Sequence, residues 1–96
     1  MARSRTGRHR NTKRLVLIEW LDSHHGRGWR TMEELLEAAE PLYCQSVGWI
    51  IVENEACKVL APHVGGERGG DTMLQACGDM TIPTVAILKV TTLREA

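Results

Sequence analysis

Between Gln45 and Leu93, glycines, prolines and an Asn-Glu pair cut the chain into short runs rich in Val, Ile, Leu and Thr. Such runs are too short and too β-branched for helices, and they predict strands separated by tight turns. The expected strands are 45–53, 56–62, 73–82 and 87–93, with a single 3₁₀ turn over 83–86. The run Leu15-Val16-Leu17-Ile18-Glu19-Trp20-Leu21 supplies an earlier one. Gly48 and Gly78 fall inside predicted strands, where glycine marks a bend or bulge. Residues 65–71, with four glycines, read as a hairpin loop.

One helix breaks this pattern. Thr31 is an N-cap candidate, Glu34 three residues later completes a capping box, and Glu33 and Glu34 suit the positive end of the helix dipole. Leu35, Leu36 and Ala39 form a narrow apolar face, and Pro41 ends the helix after about two and a half turns. A helix this short is marginal alone and is expected to pack on something. The fold class that follows is mainly β (α+β), with one short helix after the first strand. Five short strands with glycines inside them suit a strongly bent five-stranded sheet, either open or curled into an SH3-like or Sm-like small barrel.

The chain has 96 residues, enough for one small core and not for two. It has three Trp, one Tyr and no Phe, so aliphatic side chains must fill most of the interior. No apolar run approaches the roughly 18–20 residues that span a bilayer. No apolar segment follows the first arginines, so no secretory signal is expected. Three cysteines without C-x-x-C spacing fit reduced thiols, and the expected compartment is the cytoplasm.

The formal net charge of zero conceals a division. Arg3, Arg5, Arg8, Arg10, Lys13 and Arg14 make residues 1–14 a basic tail without an acid, while residues 15–96 hold every carboxylate. Such a tail buries too little to order itself and reads as disordered in isolation. It suits phosphate contacts with nucleic acid, or serves only as a solubilising extension.

The polar residues concentrate after the first strand. Asp22, Ser23, His24, His25, Arg27 and Arg30, bracketed by Trp20 and Trp29, supply an aromatic face, cationic donors and directional hydrogen-bonding groups. A nucleotide-like ligand needs that combination. The plain alternative is that the tryptophans belong to the core and the loop is solvated. Asp22-Ser23-His24 is no catalytic triad, because triad members converge in space rather than adjoin in sequence. No catalytic residue and no cofactor are expected. His24, His25, Cys44, Cys57, His63, Cys77 and Asp79 lack the short ligand spacings of a zinc site, so no metal is expected either. The glycine loop lacks the P-loop pattern and a following helix.

The segments Glu19-Trp20-Leu21-Asp22-Ser23, Gly28-Trp29, Cys44-Gln45-Ser46-Val47-Gly48-Trp49 and Gly78-Asp79-Met80-Thr81-Ile82-Pro83 together resemble small accessory proteins of bacteriophages and prophages. The likeness covers residues 15–93. It implies a non-enzymatic binding protein, acting against host defence by sequestering a small nucleotide-like ligand or occluding a host protein. Two alternatives stand beside it: a nucleic-acid-binding barrel that uses the tail, and a virion or assembly component. Edge pairing of strands 44–53 or 87–93 between copies makes a homo-oligomer the expected state.

Overall fold

The computed structural model describes residues 14–70 and 73–94. Its main element is a five-stranded antiparallel sheet built from β1 (Leu15–Asp22), β2 (Leu42–Glu53), β3 (Cys57–Ala61), β6 (Met80–Pro83) and β7 (Ile87–Thr92). The spatial order is β6-β3-β2-β1-β7. A separate two-stranded sheet pairs β4 (His63–Gly65) with β5 (Gln75–Cys77). Helix α1 (Met32–Glu37) lies between β1 and β2, and a 3₁₀ turn (Thr84–Ala86) joins β6 to β7.

The first strand organises the sheet. Val16, Ile18 and Trp20 alternate with half-exposed residues, and the period of two puts all three on one buried face. They meet Ile50 of β2, Leu60 of β3 and Ile82 of β6, while Cys44, Ala86, Ile87 and Val90 close the margin. Fully burying each of the largest of these side chains contributes about 1.5–3 kcal/mol. Gly48 is required by a close approach, since a Cβ there would come 2.9 Å from the Ala61 carbonyl oxygen. The end of β3 therefore folds tightly over β2 at this point.

The sheet is bent, as its glycines and short strands predict, but it is not closed into a barrel. β6 and β7 are its two edges, yet only the 3₁₀ turn separates them along the chain. In a flat five-stranded sheet the outer strands would lie about 19 Å apart. Even fully stretched, the link from Pro83 to Ile87 reaches only about 15 Å, so the sheet must curl. Closure would need hydrogen bonds between β6 and β7, and the two do not pair. β6 is only four residues long and ends at Pro83, which has no N–H to donate.

Several boundaries differ from the sequence expectation. The predicted strand 73–82 is two strands, because Gly78 adopts φ +79° and turns the chain between β5 and β6. The predicted hairpin loop begins inside β4, which pairs with β5 rather than with the main sheet. β2 starts directly after Pro41, earlier than expected. The register shift in β2 falls between Ile50 and Val52, not at Gly48. The capping box forms as expected: Thr31 accepts from the Glu34 amide, and Glu34 Oε1 accepts from the Thr31 amide at 2.8 Å. Helix α1, however, is only six residues long, and none of it is buried.

Arg14 belongs to the folded body and not to a separate tail. Its guanidinium donates to Glu53 Oε1 at 3.0 Å, and Lys58 reaches Glu53 Oε2 at 2.6 Å. Lys58 is the main cause that holds the Glu53 carboxyl below the usual carboxylate range, with Arg14 assisting. Partial burial opposes both and is outweighed. Arg3, Arg5, Arg8, Arg10 and Lys13 lie outside the described residues. Among the described residues no helix is long and apolar enough to cross a membrane.

Candidate functional site

The polar segment expected to form a ligand site divides into unlike parts. Trp20 is a core residue, only 9% exposed, and its indole N–H donates to Ser46 Oγ at 3.0 Å. Its position in the alternation of β1 fixes this: two residues after Ile18, it must face the same way. Its ring is therefore committed to the sheet and does not flank the loop.

Trp29 has the opposite environment. It follows Gly28, whose φ of +64° turns the chain, and its side chain is fully exposed. The two tryptophans that bracket the segment in sequence thus do not form two walls of one cleft.

Asp22, Ser23 and His24 meet the chain that leaves α1. Together with Leu21 they border an open depression of about 560 Å³, whose other side is Ala38, Ala39, Glu40 and Pro41. Asp22 Oδ1 accepts from the Ser23 amide at 2.8 Å, a local turn that uses one of its oxygens. His24 Nε2 lies 2.6 Å from the Glu40 carbonyl oxygen. A carbonyl can only accept, so Nε2 carries the proton. This contact ties the start of the loop to its end. His25, Arg27, Trp29 and Arg30 do not line the depression. The Arg30 guanidinium lies against Gly26 instead, where an added Cβ would collide with one of its nitrogens.

What the structure adds is an apolar surface. On α1, Met32 is 74% exposed and Leu36 is 77% exposed. Their spacing of four residues puts them on one side of the helix. Trp29 precedes the cap, so three large apolar side chains sit on the β1–β2 connection with little cover from the other described residues. Between Thr31 and Leu42 every charged residue is acidic: Glu33, Glu34, Glu37 and Glu40. An expected length of about two and a half turns conceals this surface: the helix that forms has only six residues and offers little area to bury.

Among the described residues no three His, Cys, Asp or Glu side chains come together to hold a metal ion. Cys44, Cys57 and Cys77 are free thiols, placed on β2, β3 and β5. No family model, curated protein or solved structure matches this chain.

Proposed function

We propose that this chain is a non-enzymatic accessory binding protein of the phage type its sequence resembles, acting by docking on and occluding a host protein. The observation that carries the proposal is the exposure of Trp29, just before the cap of α1, together with Met32 and Leu36 on a helix that buries none of its residues. Holding such side chains in water has no benefit for the fold, and exposed apolar groups with a polar rim characterise protein-docking surfaces. Trp is also the residue most enriched among those that dominate interface energies. The acidic rim of Glu33, Glu37 and Glu40 selects a partner whose apolar groove is bordered by Lys or Arg.

The strand order and the 3₁₀ turn before the last strand support reading the curled, open sheet as an SH3-like arrangement, with the β4–β5 pair as an insertion. A protein partner accounts for the exposed surface better than a small nucleotide does. Trp20 is committed to the core, and the remaining polar groups border a shallow, open depression rather than an enclosing pocket.

The test is comparative capture followed by reconstitution. Full-length protein and Leu36→Asp and Trp29→Ala variants are used to capture partners from host extract, alongside a variant lacking residues 1–13. The proposal expects a host protein that binds the first and last of these and is lost from the two tip variants. With the purified partner, it also expects a blue shift of Trp29 fluorescence on binding. Retention by the tip variants, with loss on removal of residues 1–13 or at high salt, would instead support nucleic-acid binding through the basic tail.

A further inference from the structure

β2 is longer than its neighbour on one side, and the excess forms an edge that β4 approaches but that no described strand pairs with. β1 pairs with β2 from Leu42 to Trp49, but β3 pairs with it only from Trp49 onward. The direction of the free groups follows from the hydrogen bonding. The Ile50 amide donates to the Arg14 carbonyl and the Leu93 amide to the Leu15 carbonyl. Even-numbered residues of β1 therefore bond toward β2, and odd-numbered ones toward β7. Across the register, even-numbered residues of β2 between 42 and 50 bond to β1, whereas Tyr43, Gln45 and Val47 direct N–H and C=O away from it. Among the described residues no strand pairs with these groups. Two features limit the edge. At one end the outward position is Pro41, which has no N–H, and at the other Trp49 is already paired with Ala61.

The outer strands of the five-stranded sheet carry protections that natural sheets use, and this edge does not. β6 is short and ends in Pro83, while β7 carries Lys89. The segment from Leu42 to Gly48 has no charge, no proline and three exposed apolar side chains, Leu42, Tyr43 and Val47.

We infer that this edge pairs with the same edge of a second copy, antiparallel about a two-fold axis at Gln45. In this register Gln45 faces the partner's Gln45, and Tyr43 faces the partner's Val47. All the free groups on both copies are used, which gives about six main-chain hydrogen bonds. The segment complements itself. Tyr opposite Val is a favourable cross-strand pair, and an uncharged strand meets its copy without repulsion. The Tyr43 ring is already oriented by the hydrogen bond from its hydroxyl to Glu19 Oε1. The contact is isologous, so it closes at two copies and does not propagate. It is independent of what docks on the β1–β2 connection.

Charge exchange at Gln45, an exposed residue, tests the register. The full-length protein should form a dimer of 10.7 kDa subunits in native mass spectra and sedimentation. Gln45→Lys and Gln45→Glu each put like charges across the axis, and each should weaken the dimer about five- to tenfold. Mixing the two variants should restore it as a heterodimer. Tyr43→Lys mixed with Val47→Glu should do the same, and circular dichroism shows whether every variant is folded. A wild-type protein that stays monomeric at millimolar concentration overturns the inference. So does a dimer that the Gln45 variants leave unchanged, or one that the mixtures fail to restore. Leu36→Asp should leave the dimer intact, so failure here is distinguishable from failure of the docking proposal.

Discussion

The sheet interior and the β1–β2 connection spend similar side chains in opposite ways. In the sheet, Val16, Ile18, Ile50 and Ile82 are excluded from water and bear on one another from three strands. On the connection, Trp29, Met32 and Leu36 are as apolar but are left exposed by the other described residues. The difference shows that apolar character fixes burial only where backbone periodicity can direct it into a shared space. β1 alternates against neighbours on both sides, whereas α1 has too few turns to lay a stripe against anything. One region supplies stability and the other supplies surface, and substitutions should separate them.

The largest contrast is between core and helix. Ile82→Ala or Ile18→Ala should cost about 2–5 kcal/mol in urea unfolding, enough to unfold much of the population of a small domain. Leu36→Ala, in the same assay, should stay within about 0.5 kcal/mol. Equal effects would mean that α1 is part of the core after all.

Gly48→Ala tests the fold-over of β3 on β2. The added Cβ meets the Ala61 carbonyl and the Leu60 side chain, both at 2.9 Å. A loss of about 1–3 kcal/mol is expected, from overpacking without any cavity. A neutral outcome would show that the approach relaxes easily.

The polar support of the body is smaller and depends on pH. Glu53 titrates below its ordinary value because Lys58 and Arg14 favour the carboxylate. Its contribution is therefore fully present above the unfolded carboxyl value, about 4.3, and is lost as pH falls through the lower folded value. Glu53→Gln should cost about 1 kcal/mol at neutral pH, after allowance for partial exposure. The gap from wild type should close in acid, as thermal melts from pH 7 to pH 3 would show.

Thr31→Ala should give the smallest global effect. Losing the cap costs α1 about 1 kcal/mol locally. Because the helix supports nothing else, hydrogen exchange of the Leu35 and Ala38 amides should accelerate while the global melt barely moves.

These two regions were also unequally legible in the sequence. β1 was readable because its alternation is strict, and the capping box because Thr31 and Glu34 carry their geometry in their identities. The 3₁₀ turn after Pro83 was equally plain. The split of residues 73–82 was not, since a left-handed φ at Gly78 follows from where β3 and β4 lie, and distant contacts set those positions. The β4–β5 pair was masked by a glycine-rich stretch that reads as loop. At the candidate site, Trp20 and Trp29 look alike in composition. The alternation of β1 separates them, for it assigns Trp20 to the core with Ile18, whereas nothing nearby in sequence supplies a neighbour for Trp29.

The placement of β1 between β2 and β7 has a consequence during synthesis. One flank of this strand can be satisfied once residue 50 has emerged, but the other waits for Thr92. At about 5–20 residues per second, those roughly forty further residues take about 2–8 s. Throughout that interval this strongly hydrophobic strand of the nascent chain has its outer hydrogen-bonding row uncovered and is open to pairing with the wrong segment.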